Sequence, residues 1–409
     1  MARKMKDSGI EWIGEIPEGW KTCLYKYCCS VQPGYPFDSA KFSNSSTDGF
    51  PIIRIRDITS GEIQTYYTGE SSPNYIVTAG DLLVGMDGDF NVRWWNNDDA
   101  LLNQRCCRVT EKDSVLRRFL YYVLPFTLQH INTLTYATTV KHLANGDILN
   151  SFIAFPSLPA QQNIVHYLDT VCSKIDSMLS TTRSGIEEYK KLKQAVITQA
   201  VTKGVRGEQE MKDSGVEWIG EINHRFSLIK LKYICSILDQ YRKPISADKR
   251  SQSGSILYDY YGASGAIDKI DDYTIDDHVM LIGEDGANLR MRNLPLMYEV
   301  NGKAWINNHA HILKPTERVD FYYLFYALEG LDINPYITGS AQPKLSQENL
   351  QNIWVPLPNL EEQQEIATHI RSKCTEIDGL IAKKEQLVKE LESYKKSLIY
   401  EIVTGKREV

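Results

Sequence analysis

The sequence predicts an α+β fold: two β-rich domains carried on two long antiparallel coiled-coil helices, arranged as a pseudo-twofold internal repeat. Two observations predict it. MKDSGIEWIGEI at 5–16 returns as MKDSGVEWIGEI at 211–222, differing only at Ile10 and Val216. FPSLPAQQNIVHYLDTVCSKID at 155–176 is paralleled by LPNLEEQQEIATHIRSKCTEID at 357–378. A repeat of this length sets the architecture before local propensity is weighed. The order is head, variable block, helix, then the same again. The boundaries expected are 1–160 for the first block with its head, 161–206 for the first helix, 207–362 for the second block and 363–409 for the second helix.

The helices come from an apolar stripe. Ile164, Leu168, Val171, Ile175, Met178, Tyr189, Leu192 and Val196 fall on alternating steps of four and three. Ile366, Ile370, Ile377, Leu380, Leu387, Leu391, Tyr394 and Leu398 do the same in the second copy. Such a stripe belongs to helices that pack lengthwise. Thr182, Gly185, Lys373 and Lys384 weaken it locally. No proline interrupts 161–206 or 363–409, and Gly204 and Gly405 stand where each helix should stop. About 44 residues at 1.5 Å per residue make ~66 Å. An ordinary globular helix has only ~11–12 residues, so a spacer is favoured over a core helix. A compact block keeps its entry and exit close, so the second helix returns along the first in the antiparallel sense. Cys172 and Cys374 are repeat-equivalent and are expected to remain unpaired thiols.

The blocks read as short strands with some helix. Residues 51–58, 81–84, 256–261 and 279–282 have strand patterns, and 117–130 and 319–329 look helical. Between matching anchors such as Gly85-Met86-Asp87-Gly88 and Gly283-Glu284-Asp285-Gly286, the two blocks diverge. A fold kept while other residues change suggests two readers of different targets. Ordinary drift after duplication is the bland alternative.

Composition excludes several classes. With 42% hydrophobic and 24% charged residues, the 409-residue chain is not disordered overall. No apolar run approaches the ~18 residues of a membrane span, and no apolar signal core follows Met1, so a cytoplasmic protein is expected. None of the eight cysteines forms a CxxC pair, so no metal site is expected. The net charge of −6 mildly opposes a nucleic-acid partner, and phosphate neutralisation would have to come from local patches.

No catalytic constellation emerges. Asn334-Pro335-Tyr336 resembles an adenine-methyltransferase motif but lacks its second proline and any preceding glycine-rich cofactor loop. Glu188-Tyr189-Lys190 reads as a solvated helix face, and Asp87, Asp89 and Asp285 as turn residues. No GxxxxGK[ST] phosphate loop occurs.

Several segments together resemble the specificity subunit of a type I restriction–modification system. They are DSGIEWIGEIPEGW (7–20), GDLLVGMDGDFNV (80–92), LLNQRCCRV (101–109), TTVKHLANGDILN (138–150) and LPAQQNIVHYLD (158–169) in the first half. YYGASGAI (260–267), LIGEDGANL (281–289) and WVPLPNLEEQQEIATHI (354–370) continue the order in the second. The resemblance implies two target-recognition domains, each reading one half of an asymmetric bipartite DNA site, with the helices as spacers. It implies assembly with two methyltransferase subunits and two restriction/translocase subunits. AdoMet, ATP and Mg would act on those partners, with none in this chain.

On that reading, the polar residues become candidates for DNA contact, because Arg pairs with guanine edges and Asn or Gln with adenine. In the first block they are Arg54 and Arg56 on one face of an expected strand, then Asn91, Arg93, Trp94, Gln104 and Arg105, with Thr138, Thr139, Lys141 and His142 for phosphates. In the second they are Tyr260, Tyr261, Ser264, Asn288, Arg290, Arg292, Asn308, His309 and Lys344. For any one of them a solvated or structural role is the competing reading. Two identical partners need two similar docking surfaces, so the repeated heads supply Trp12, Ile13, Trp218 and Ile219 as partner anchors. A coiled-coil scaffold without DNA recognition is the rival class, yet nothing in that role requires two diverged blocks.

Overall fold

The computed structural model describes residues 3–134, 141–246, 250 and 256–409. Four helices of ten residues or more organise them: α1 (Arg117–Leu134), α2 (Leu158–Lys203), α3 (Phe321–Gly330) and α4 (Leu360–Val403). The chain divides into two compact units, residues 1–181 with 387–409 and residues 182–386, and the division cuts both long helices.

In the first unit, a four-stranded antiparallel sheet runs Val92–Trp94, Leu82–Gly85, Cys106–Glu111, Cys29–Pro33. Helix α1 covers it, burying Phe119, Leu120, Val123 and Leu124 in one core with Leu82, Val84, Cys107 and Val109. A second sheet of five short strands runs Phe42–Ser43, Tyr66–Tyr67, Phe50–Ile53, Ala100–Leu102, Ile76–Val77. In the second unit a single six-stranded sheet replaces the pair, with Ile275–Gly283 and Met297–Ile306 as its longest strands. Helix α3 packs Tyr323, Leu324, Ala327 and Leu328 with Met280, Ile282 and Leu313.

Each unit joins its block to the helix pair in the same way. A two-stranded ribbon, Lys21–Leu24 with Phe152–Phe155 or Ser227–Lys230 with Trp354–Leu357, leads into α2 or α4. The first glutamine of each repeated pair then acts as a latch. Gln161 is buried; its Oε1 accepts the Leu116 N–H at 2.9 Å and its Nε2 donates to Ser114 O and Pro156 O. Gln363 accepts the Asp320 N–H at 2.8 Å and donates to Pro358 O and Arg318 O. A buried amide with its partners in place is inexpensive, but removing it strands several backbone groups.

The long helices are antiparallel within each unit. Lys395 of α4 donates to both carboxylate oxygens of Asp176 of α2, at 2.6 and 2.7 Å. The repeat-related pair, Lys193 with Asp378, closes at 2.8 and 2.7 Å in the other unit. These pairs are partly solvated and contribute about 0–1 kcal/mol each. The apolar seam holds the helices together, with Leu168, Ile175 and Leu179 buried alongside Leu398 and Ile402 in the first unit. That seam departs from the strict heptad. Cys172 and Leu179 are buried while Met178 is 57% exposed, and Cys374 replaces Lys373. A straight helix drifts ~20° per heptad from a 3.5-residue repeat, so the buried stripe slips by one residue as it packs on a globular block. All eight cysteines are free thiols, Cys172 and Cys374 among them.

Gly204 and Gly405 end the helices as expected, with φ of 79° and 73°. The strand expected at 51–58 is shorter. It ends at Ile53, and Ile55–Ser60 forms a turn of helix. The Asp57 carboxylate accepts the Arg54 N–H at 2.8 Å to start it, and Gly61, at φ 82°, closes it.

Candidate nucleic-acid interface

The two units build the same corner from different side chains. In the first, Met86 N–H donates to Arg105 O, Leu143 N–H to Met86 O and Gly88 N–H to Lys141 O. In the second, Glu284 N–H donates to His309 O, Leu345 N–H to Glu284 O and Gly286 N–H to Pro343 O. Backbone bonding thus places Arg105 and His309 at one position and His142 and Lys344 at another. Each corner brings two basic side chains to an Asp-Gly turn.

Carboxylates at each turn hold these side chains. His142 Nδ1 lies 2.6 Å from Asp87 Oδ1, and Arg105 reaches the same oxygen at 3.5 Å. His309 Nδ1 lies 2.7 Å from Asp285 Oδ2, and Lys344 Nζ lies 3.1 Å from Glu284 Oε1. Arg105, His142, His309 and Lys344 are each at least half exposed, whereas Asp87 and Asp285 are mostly covered. Gln104 and Asn308 adjoin them, both exposed. The second corner is braced from below. Burial pushes the Glu284 carboxyl up, but hydrogen bonds from Arg242 and Lys344 outweigh it and hold the group below the ordinary range. His311, almost fully buried, links Asp239 at 2.6 Å to the Leu345 carbonyl at 2.9 Å.

Other candidates are committed to contacts within their own unit. Arg93 donates to Ile58 O and Thr59 O, and Asn91 to Thr59 Oγ1. Trp94 lies under the Arg118 guanidinium at 4.6 Å. Asn288 ties its loop through Leu294 and Pro295, and Arg290 donates to Ile337 O. Arg292 donates to Glu329 O and Leu331 O, and burial lowers its pKa. Lys141 donates to Asn132. Tyr261 is half-buried, and Ser264 is exposed in the turn of the hairpin at 258–270.

Several expectations need correcting. Tyr260 is 1% exposed and carries the Arg250 guanidinium over its ring, so it has no edge to offer a duplex. Arg54 and Arg56 do not share a strand face, because the strand has ended before them. Ile13 is 3% exposed in its own core and cannot anchor a partner. Its repeat-mate Ile219 packs partly buried against the second core. Trp12 is half-buried and receives the Tyr400 hydroxyl at its carbonyl, while Trp218, 39% exposed, meets the Tyr336 ring edge-on. Thr138 and Thr139 lie outside the described residues.

Sequence reasoning missed the support groups Asp239 and Arg242, three residues apart, and His311, far along the chain from both, which together follow no motif. It also missed Asn44, Gln64 and Tyr66, which with Arg56 line a polar cleft of about 480 Å³ in the first unit. A polar loop carries no periodic signal that would single them out.

The sequence and the fold resemble those of known proteins. The family model for the type I restriction modification DNA specificity domain matches residues 17–188 and 224–390. The specificity subunit of the type I restriction enzyme EcoBI from Escherichia coli is 36% identical over 202 residues, 49% of this chain and 42% of that subunit. This chain therefore aligns with less than half the length of that relative. The MjaVIII specificity subunit from Methanocaldococcus jannaschii is 24% identical over 420 residues, 96% of this chain and 93% of that one. A solved chain of a type I R-M system shares the fold with a TM-score of 0.69 at 15% identity, covering 96% of this chain and 99% of that one.

Proposed function

Since the chain belongs to the type I restriction–modification DNA specificity family, we propose that it is the non-catalytic, sequence-reading subunit of such an enzyme. Each unit reads one half of an asymmetric bipartite site in double-stranded DNA. One observation carries this: the two corners keep the same backbone bonds and exchange their exposed basic side chains, Arg105 with His142 against His309 with Lys344. A shared frame with different donors is what two half-sites of different sequence require.

The subunit assembles with two methyltransferase and two restriction/translocase subunits. AdoMet is bound by the methyltransferase, and ATP with Mg by the translocase. This chain chooses the site and contributes no catalytic group. Trp218 and, less openly, Trp12 are the anchors for the methyltransferase. Changing both to Ala removes packing against Tyr400 and Tyr336 and should lower the melting temperature, but co-purification should fall even at temperatures where the variant is still folded. Full recovery of the complex would remove them from that role.

Methylome sequencing of cells carrying this chain with its methyltransferase tests the central reading. A bipartite adenine-methylated motif that disappears on deleting this chain supports it. Methylation unaffected by the deletion would refute it. Exchanging residues 17–158 for another block should change one half of the motif only.

A further inference from the structure

The polar cleft in the second sheet of the first unit has no part in the corner just described. Tyr66 of its lining lies on strand Tyr66–Tyr67, which pairs on one side with Phe42–Ser43 and on the other with Phe50–Ile53. Asn44, Ser46, Arg56, Ile63, Gln64 and Tyr66 line it. Asn44, Ser46 and Gln64 are exposed, and among the described residues their side chains find no hydrogen-bond partner. Arg56 is held in place, donating from Nη2 to Thr65 Oγ1 at 2.9 Å with its Nε 3.6 Å from Asp57. One oriented guanidinium therefore stands among uncharged amides, a hydroxyl and a phenol.

Shape decides what such a set can take. Base edges lie at the bottom of grooves and are reached by groups that protrude. A concave cleft instead fits a convex ligand, and the convex feature of a duplex is its sugar–phosphate ridge. Arg, Asn, Gln, Ser and Tyr side chains are the usual donors to phosphate and sugar oxygens. The chain is acidic overall, so a phosphate can be neutralised only where a cation is locally presented.

We propose that this cleft grips the DNA backbone: Arg56 neutralises one phosphate, and Asn44, Ser46, Gln64 and Tyr66 bond the neighbouring phosphodiester oxygens. The proposal rests on the reading of the chain as a DNA specificity subunit. It assigns Arg56 to positioning the duplex, not to choosing bases.

The test measures binding of the full chain, in complex with its methyltransferase, to its own site and to randomised duplexes over a salt series. Arg56→Gln should weaken binding by roughly 10-fold to 100-fold on every sequence, the scale of a charged hydrogen bond. It should also flatten the plot of log K against log salt by about 0.9, one phosphate's share. Arg56→Lys should restore the slope. Asn44→Ala with Gln64→Ala should weaken binding without changing the slope or the selected motif. That double variant removes no described contact, so it reports even if Arg56→Gln folds poorly. Unchanged affinity in the double variant, or a selected motif that relaxes at one base position, would overturn the backbone clamp while leaving the specificity reading intact. A wild-type complex that selects no motif from the randomised duplexes would instead sink the specificity reading and the clamp with it.

Discussion

Replacing Arg105 by Ala should separate the proposed recognition from folding at one residue. The side chain is 55% exposed, and its ion pair with Asp87 is long, at 3.5 Å. An exposed pair of that kind contributes about 0–1 kcal/mol. Asp87 keeps His142 at 2.6 Å, and the Arg105 carbonyl still receives the Met86 N–H, so the corner stays closed. The substitution should therefore cost the fold less than about 1 kcal/mol. If the guanidinium reads a guanine edge, its loss should remove about 1–3 kcal/mol of discrimination, roughly 5-fold to 150-fold, at one position of one half-site. The salt slope should hardly move, in contrast to Arg56→Gln. Competition binding with duplexes varied one base pair at a time supplies the assay, alongside a melting curve. A loss spread evenly over all sequences, or a shift in the other half-site, would refute a base-reading role for Arg105.

Three further outcomes follow from the geometry. Gln161→Ala leaves the Leu116 N–H and two carbonyls without their partner, so denaturation should show a loss of at least about 2 kcal/mol, at about 1–3 per stranded group. Gly379→Ala and Gly405→Ala should act with opposite signs on melting. A Cβ at Gly379, exposed within α4, meets nothing within 4 Å and should stabilise by about 0.5–1 kcal/mol, whereas Gly405 has φ 73° and its Cβ would lie 2.4 Å from Pro17, costing about 1–3 kcal/mol. The depressed Glu284 carboxyl contributes stability that is present above its unfolded value, about 4.3, and is lost as pH falls through its lower folded value. Urea midpoints measured from pH 3 to 7 should therefore fall less steeply on the acid side for Glu284→Gln than for the native chain.

The repeat and the two long helices were legible because they are written in spacing and identity, which survive without coordinates. The latch at Gln161 and Gln363 was visible as a repeated pair, though its purpose appears only when Ser114 and Arg318 are found beside it. The seam was legible in kind but not in phase, because a heptad assumes a partner helix throughout while each unit also packs its helices on a block. The Arg54–Arg56 face failed because a local bond, Asp57 to the Arg54 N–H, overrides an alternating pattern. Tyr260 failed for another reason: aromatic residues serve cores and interfaces alike, and only burial tells them apart.

The candidate corners draw on residues that the sequence singles out, but it does not say which of them come together. Arg105 and His142, or His309 and Lys344, are distant in sequence, and what joins them is the run of backbone bonds around Asp87 and Asp285. That division has an energetic logic. The scaffold resides in groups whose loss is expensive: buried latches, seam residues and left-handed glycines. The proposed readers are exposed side chains tied by partly solvated ion pairs or hydrogen bonds to the turn carboxylates, each worth about 1 kcal/mol to the fold. Exchanging them therefore leaves stability nearly untouched while altering which base edges find a donor. On the proposed reading, an exchange at one corner should change one half-site and leave the other, because the described contacts that brace each corner come from its own unit.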